Sequence, residues 1–353
     1  MRVNRLFTSM LVANVALCAV PLNYANEADR TVKVATYNMY PGTEFSGIFF
    51  SQSGEELVAE VGEAYSDVNA SNVAERIDEI ADQIATNGPH LVGLQEVALW
   101  RVGDAFDPAP AETVAYDFLQ MLLDELAERG ANYAAISVQT NLDAELPGAG
   151  ATFFLDIRYT DRVVILARTD LQTSEIKVES VAAGTFDALL TFGSPVLGTV
   201  QVPRGWTSAD IKHRGKTYRF YNAHLESFVA EYQWAQAAEV VEDLANTGLP
   251  VILAGDFNSP APGGVSYGIL LSGGFADAWT ATNAGSTGFT WPLSGEHPSD
   301  LLDPNERIDL VLYRGAITAK STDLLGEEEG DITPSGFRPS DHAGVAASFV
   351  LHP

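Results

Sequence analysis

Cysteine is nearly absent from this 353-residue sequence. The single cysteine, Cys18, lies near the N-terminus, within a stretch that has the features of a signal peptide. The chain beyond that stretch has no thiol, which excludes disulfide bonds and thiolate metal sites there. A lipoprotein anchor at Cys18 would require a small residue just before it, and Leu17 stands there instead. We therefore expect no lipid anchor.

Lysine and positive charge in general are also scarce. The chain has 20 Lys and Arg residues against 47 Asp and Glu residues, and its formal net charge is −27. Its only lysines are Lys33, Lys177, Lys212, Lys216 and Lys320. Such a surface repels a phosphate backbone and gains little from counterion release, which disfavours tight binding of long nucleic acid. The same charge also keeps an exported protein soluble.

Long apolar runs are missing beyond the N-terminus, so the sequence predicts no transmembrane helix there. At the N-terminus, two arginines precede an apolar run over residues 6–20, and small residues follow at Ala19 and Ala25. This pattern predicts a signal peptide over residues 1–25, cleaved near Ala25 or near Ala19. We expect a protein secreted to the periplasm or the extracellular space.

The remaining chain shows hydrophobic periods of both helices and strands, which is typical of an α/β protein. We predict helices over residues 72–87, 111–129 and 229–245. We predict strands over residues 31–37, 90–97, 133–138, 162–168, 175–181, 217–220, 251–254, 307–313 and 343–351. Asn72 with Glu75 resembles a helix N-terminal cap, and Gly88 with Pro89 ends that helix. Segment 40–65 receives no assignment.

The stretch from Leu249 to Pro260 indicates a functional strand end. Apolar residues 251–254 predict a buried strand, and Asp256 and Asn258 follow it. Side chains two residues apart on an extended chain share a face, so both point toward the same place. Ligands of α/β sheets bind at this end of the strands. The alternative is that Asp256 caps the following turn.

Further strand ends carry hydrogen-bonding side chains. Glu96 ends an apolar run, where a carboxylate is costly unless it is paired or bound to a metal, and Asn38 ends the first strand. Their hard oxygen ligands suit Mg²⁺, Mn²⁺ or Ca²⁺ better than zinc. His224 alternates with Asn222 and Glu226, which is unusual for a core strand. The alternatives are that Glu96 is a surface glutamate, that Asn38 is a turn residue and that His224 is a structural histidine.

Two acid and imidazole motifs lie near the C-terminus. Asp309 shares a strand face with Arg307, and a simple ion pair between them is the structural alternative. Asp341 and His342 follow a proline and a serine, which predict a loop from which both side chains face one site.

In sequence order these motifs resemble those of the endonuclease/exonuclease/phosphatase superfamily. That superfamily includes deoxyribonuclease I, apurinic endonucleases, neutral sphingomyelinases and inositol polyphosphate 5-phosphatases. The resemblance spans about residues 31–351. It rests on Asn38, Gln95-Glu96, Asn222-Ala223-His224-Leu225, Gly255-Asp256-Phe257-Asn258, Arg307-Ile308-Asp309 and Ser340-Asp341-His342.

The resemblance implies a four-layer α/β/β/α sandwich with two facing mixed β-sheets, formed as a single domain over residues 31–352. It implies a divalent metal at one rim of the sandwich, with Glu96 as the principal ligand, Asn38 beside it and Asp341 close by. Mg²⁺ is the expected ion, with Mn²⁺ and Ca²⁺ as alternatives.

The resemblance also implies catalytic roles. Asp256 and Asn258 would hold and activate the attacking water, His224 would contact the phosphate, and Asp309 would pair with His342. A histidine held by a carboxylate titrates near neutral pH with its tautomer fixed. The sequence leaves open whether Asp256 or His342 takes the proton of the water.

The expected function is that of a secreted phosphoric ester hydrolase, in particular a sphingomyelinase-like phosphodiesterase acting on small or lipid substrates. Residues 186–206 are rich in apolar side chains, which either touch a lipid surface or cover a sheet edge. Arg158, Arg162 and Arg204 are either phosphate contacts or structural ion pairs. The alternatives are an extracellular nuclease and a non-catalytic binding protein, which would be expected to lack a central residue. No protein partner is predicted.

Overall fold

The structure is a computed structural model that describes residues 30–295 and 300–352. The predicted signal peptide lies outside the described residues. The strands are β1 Thr31–Asn38, β2 Leu91–Gln95, β3 Leu99–Asp104, β4 Thr113–Asp117, β5 Tyr133–Ala149, β6 Phe154–Arg168, β7 Lys177–Thr185, β8 Leu190–Ser194, β9 Gly198–Val202, β10 Gly205–His213, β11 Lys216–His224, β12 Val251–Asp256, β13 Ala276–Asp277, β14 Asp309–Arg314, β15 Ile317–Leu325 and β16 Gly344–Leu351. The helices are α1 Ser46–Phe50, α2 Gly54–Ala70, α3 Val73–Asn87, α4 Phe118–Glu128, α5 Ala230–Ala245, α6 Val265–Ser272 and α7 Ala278–Thr282.

The strands form two mixed sheets and a separate hairpin. The first sheet has the order β15-β16-β1-β2-β6-β3-β4, with β5 paired to β6. The second has the order β13-β14-β12-β11-β10-β7, and β8 with β9 forms the hairpin. In each sheet one central pair is parallel, β1 with β2 and β11 with β12, and the chain crosses over between these strands through helices.

The two sheets face each other across an apolar core. In β1, Val32 and Val34 point into this core, and from the second sheet Phe220 and Ile252 meet them. Because side chains alternate along a strand, the intervening residues of β1 face the opposite way, toward the helices. Ala35, for example, packs into the helix-facing core.

Helices cover the outer faces of both sheets. Residues of α2, α3 and α4 pack on the first sheet, and residues of α5 and α6 pack on the second. The predicted α/β/β/α sandwich is therefore confirmed. None of the helices in the described part of the chain is long and apolar enough to cross a membrane.

Segment 40–65, unassigned from sequence, contains two helices. The longer one, α2, begins after Ser53, whose side chain accepts a hydrogen bond from the Glu56 backbone N–H at 3.1 Å. Its buried face has helical spacing, and Gly62 lies where a Cβ would meet the Ala149 carbonyl oxygen at 2.0 Å. The sequence did not predict α2 because glycine residues weaken the helical pattern. In the structure, Gly62 permits the close approach of α2 to β5.

Two other helix boundaries differ from the predictions. Residues 113–117 form strand β4, so the helix predicted from residue 111 begins only at Phe118, where Asp117 caps it. Asn72 precedes α3 as predicted but has a left-handed backbone and makes no capping side-chain bond. Glu75 accepts hydrogen bonds from Ser335 instead, a contact distant in sequence.

Candidate active site

Four strand ends bring polar side chains to one rim of the space between the sheets. The faces of β1, β11 and β12 that line this space begin apolar and end with Asn38, His224 and Asp256. Strand β14 runs antiparallel to β12 and begins at the same rim, so Asp309 pairs with Asp256 in register. All four residues are at most 1% exposed. The predicted strand-end residues therefore do meet.

Asp256 is the centre of this group. Its Oδ2 accepts a hydrogen bond from Asn38 Nδ2 at 3.0 Å, and its Oδ1 accepts one from the Asn258 backbone at 2.9 Å. The turn-capping role proposed as an alternative thus coexists with a place in the cleft. Burial, followed by repulsion from Asp309, raises the pKa of Asp256 to about 6. Asn258 lines the cleft and is fixed by its side-chain bond to the Leu225 carbonyl at 2.9 Å.

His342 is held by Asp309. Its Nδ1 lies 2.8 Å from Asp309 Oδ2, and its Nε2 lies 3.9 Å from Asp256 Oδ2. Arg307 donates to Asp277 at 2.7 Å, so the structural alternative of an Arg307–Asp309 ion pair is wrong. Burial lowers the pKa of His342, but the surrounding carboxylates, Asp309 foremost, outweigh it and hold that pKa well above its usual value.

The loop that carries Asp341 and His342 is anchored to the end of β1. Ser340 Oγ donates to the Asn38 carbonyl at 2.7 Å. The fully buried Arg76 on α3 donates to the carbonyls of Pro339 at 3.0 Å and Tyr40 at 2.8 Å. These bonds fix the loop that carries Asp341 and His342, although α3 itself carries no predicted site residue.

Glu96 follows β2 and turns into the cleft from a left-handed backbone with φ of 53°. Its Oε1 lies 3.8 Å from His224 Nε2, and no described residue donates a hydrogen bond to its carboxylate. Burial, then repulsion from Asp341, raises the pKa of Glu96 to about 8. Burial likewise raises the pKa of Asp341. His342 Nε2 lies 3.9 Å from Asp341 Oδ1, and its charge offsets part of the rise in the pKa of both carboxyls.

His224 contacts Arg204 at the cleft wall. Arg204 Nη1 lies 3.3 Å from His224 Nδ1 and 3.2 Å from Nε2, and Arg204 Nη2 donates to Ser227 at 3.1 Å. Burial and the neighbouring Arg204 charge lower the pKa of His224 well below its usual value, so the ring is neutral. Arg204 is the arginine that lines the cleft.

The other two candidate arginines form structural ion pairs. Arg158 binds Asp143 at 2.6 Å, and Arg162 binds Asp117 at 2.6 Å while also donating to backbone carbonyls. Neither lines the cleft among the described residues. Of the three arginines named from sequence, only Arg204 is placed to meet a phosphate.

The two residues that alternate with His224 have structural roles. Asn222 donates to the carbonyls of Leu94 at 3.1 Å and Val164 at 3.0 Å, and so ties the two sheets together beneath the cleft. Glu226 accepts backbone hydrogen bonds from the two residues that follow it, at 2.9 and 2.7 Å.

Two features of the cleft were missed from sequence. Aromatic side chains form much of its wall, namely Tyr40, Phe45, Phe49, Tyr159, Phe228 and Trp291. Asp161, a buried acid on β6, also lines it and accepts a hydrogen bond from Asn141 at 2.9 Å. The sequence signal for Asp161 was a carboxylate beside an apolar strand, the same signal that identified Glu96.

The donor set fits a divalent cation. Asp256, Asp309 and His342 present ligand atoms within 4.8 Å of one another. In that trio, however, Asp309 and His342 already bind each other, and Asp256 accepts two hydrogen bonds. Glu96 and Asp341 both line the cleft and have raised pKa values, and a hard cation would stabilise their charged forms.

The fold and the site together define a class, a sandwich enzyme with acidic and imidazole groups gathered at one rim. The sequence pattern of the Endonuclease/Exonuclease/phosphatase family matches residues 53–342. The chain therefore belongs to this family of phosphoric ester hydrolases, whose enzymes depend on divalent metals. The resemblance inferred from the motifs is confirmed.

Solved structures show the same fold at low sequence identity. An endonuclease/exonuclease/phosphatase family protein from Bacteroides thetaiotaomicron has a TM-score of 0.57 at 18% identity, covering 92% of this chain and 98% of its own. A mannosyl-6-phosphatase from the same organism has a TM-score of 0.56 at 18% identity, covering 91% of this chain and 100% of its own. A humanised D. rerio TDP2 has a TM-score of 0.50 at 18% identity, covering 91% of this chain and 99% of its own. No curated protein matches the sequence.

Proposed function

We propose that this protein is a secreted, Mg²⁺-dependent phosphodiesterase that acts on small or lipid phosphodiesters, in the manner of a sphingomyelinase. Glu96 and Asp341 would hold the ion, with Asn38 Oδ1 beside them. Asn38 Oδ1 accepts one hydrogen bond from the Tyr40 backbone N–H, which leaves its second lone pair for the ion. When bound, Mg²⁺ withdraws charge from the phosphate oxygens. Mn²⁺ and Ca²⁺ would suit the same oxygen ligands.

The other residues act on the water and the phosphate. Asp256, with its pKa of about 6, is charged at neutral pH and takes the proton of the attacking water, which Asn258 orients. His342, kept protonated by Asp309, stabilises the charge that develops on the phosphate. Arg204 and the neutral His224 contact the phosphate oxygens from the opposite wall.

The observation that carries the substrate assignment is the composition of the cleft wall. The site opens between aromatic side chains, and none of the five lysines lines it. Two aromatic residues near the opening are exposed, Phe50 by 57% and Phe228 by 48%. Nucleic-acid channels combine aromatic residues with a positively charged groove, and this groove is acidic. An aromatic rim on an acidic protein favours a ligand with an apolar part.

The hairpin of β8 and β9 accounts for part of the apolar segment 186–206. Leu190 and Val202 pack against Phe49, so one face of the hairpin covers α1. Phe192 contacts both Phe49 and the exposed Phe50. This arrangement supports lipid contact at the rim that Phe50 and Phe192 form.

A substrate panel tests the proposal. The purified protein should hydrolyse bis-p-nitrophenyl phosphate and the diester of sphingomyelin vesicles with Mg²⁺, and EDTA should abolish both activities. His342→Ala should remove turnover while leaving the thermal unfolding transition cooperative. Mg²⁺-dependent nicking of plasmid DNA at low enzyme concentration, with no lipid hydrolysis, would instead make this protein a nuclease.

Secretion is tested separately by N-terminal sequencing of the protein from the periplasm or the medium. The mature chain should begin just after Ala25 or Ala19. Recovery of the uncleaved chain from the cytoplasm alone would contradict the export proposal.

A further inference from the structure

A second, apolar pocket adjoins the catalytic cleft. It lies between α1, α2 and the β8–β9 hairpin, and strands β3, β5 and β6 form its floor. Its lining residues are Phe45, Ile48, Phe49, Val61, Ala64, Trp100, Leu142, Ala144, Leu146, Ile157, Tyr159, Leu197, Thr199, Val200 and Gln201. No ionisable carboxylate, lysine, arginine or histidine is among them. An open apolar space of this kind favours a hydrocarbon over water.

The pocket and the cleft share a wall. Phe45, Phe49, Leu142 and Tyr159 line both spaces. Phe45 packs against Tyr159 with ring centroids 4.7 Å apart. The polar, charged cleft and the apolar pocket therefore adjoin at these side chains.

We infer that this apolar pocket is the subsite for a hydrocarbon chain of the substrate. This inference rests on the proposed phosphodiesterase function. The polar end of the ligand, a phosphodiester, would lie between Glu96 and His342, and its alkyl or acyl chain would extend past Phe45. The charges support this direction, because the carboxylates that favour a cation lie on the cleft side only, as do Arg204 and His342, which favour a phosphate. The inference therefore names a lipid-like diester as the substrate class.

Chain-length dependence provides the test. A series of alkyl p-nitrophenyl phosphodiesters from methyl to dodecyl is assayed below the micelle concentration with Mg²⁺. Each buried methylene favours binding by up to about fourfold. We expect kcat/KM to rise by roughly two- to fourfold per methylene over the first carbons and to level off once the pocket is filled.

A pocket variant and a matched control localise the effect. Ala144→Phe places a ring in the pocket, and the octyl-to-methyl ratio of kcat/KM should fall at least tenfold. Ala183→Phe makes the same change on β7, away from the pocket, and should keep the wild-type ratio. Leu197→Asp, in the turn between β8 and β9, supplies a second test that does not depend on packing a larger side chain, and it should also lower the ratio.

The outcomes separate this inference from the proposed function. Turnover of the methyl diester with no increase along the series would overturn the subsite and leave the phosphodiesterase intact. An increase that survives both Ala144→Phe and Leu197→Asp would place the chain elsewhere, for example on the exposed rim, and would also overturn the inference. Lack of turnover of every diester would contradict the proposed function itself.

Discussion

Replacing Asp309 with asparagine removes the negative charge beside His342 while keeping the size of the side chain. The carboxylate Oδ2 lies 2.8 Å from Nδ1, and both residues are buried. Two unit charges with centres about 4 Å apart interact by about 4 kcal/mol at an effective dielectric constant of 20. Loss of that interaction removes this stabilisation from the charged imidazole, so kcat should fall by up to about a thousandfold at a pH where the wild type keeps the His342 proton and Asp309→Asn has lost it.

The assay is steady-state hydrolysis of bis-p-nitrophenyl phosphate with Mg²⁺ across pH. Because Asp309 raises the pKa of His342, Asp309→Asn should lower that pKa. The high-pH limb of the kcat profile, where His342 loses its proton, should therefore move to lower pH. Asp277→Asn is the matched control, since Asp277 is a buried carboxylate bound to Arg307 instead. It should lower stability while keeping kcat within about threefold.

Two results would refute this account. One is a folded Asp309→Asn variant with kcat within tenfold of the wild type. The other is a kcat profile whose high-pH limb does not move, which would mean that the protonation state of His342 does not limit the reaction.

Three further predictions concern other sites. Glu96→Gln should raise the Mg²⁺ concentration for half-maximal activity at least tenfold, because it removes a charged ligand; an unchanged Mg²⁺ titration would exclude Glu96 as a ligand. Arg76→Met should lower the free energy of unfolding in urea by about 3–5 kcal/mol, because it strands the carbonyls that Arg76 binds; a loss below about 1 kcal/mol would contradict this. Burial raises the pKa of Asp277, but the hydrogen bond and charge of Arg307, with the hydrogen bonds from Thr280 and Tyr267, together outweigh burial and lower that pKa. The charged carboxylate therefore stabilises the fold above the unfolded pKa near 3.9. The stability difference between wild type and Asp277→Asn should therefore be constant above about pH 5 and shrink as pH falls below 4; a difference that persists at pH 2–3 would disprove the linkage.

The amino-acid sequence by itself determined the class of the protein. Hydrophobic runs that end in Asn38, Glu96, His224 and Asp256 predicted strands with functional ends, because the period of side chains along a strand is local information. The order of the motifs then indicated the family and the facing sheets. Residue types alone indicated hard oxygen ligands and therefore the kind of ion.

Only the tertiary structure decided which partners these residues have. Asp309 lies two residues from Arg307, yet it binds His342, because Asp277 reaches Arg307 from a different strand. Arg76 on α3 was unremarkable in sequence, although it anchors the loop of Asp341 and His342. These contacts join residues far apart in the chain, so no local pattern encodes them.

The residues that form the walls of the cleft likewise could not be predicted from the sequence. Phe45 and Phe49 lie at α1, Tyr159 lies on β6, and Trp291 lies in the segment before β14, so these residues share no spacing and meet only at the rim of the folded chain. The residues at the strand ends thus predicted the chemistry. The shape of the cleft, which selects the substrate, depends on packing between elements that are distant in sequence.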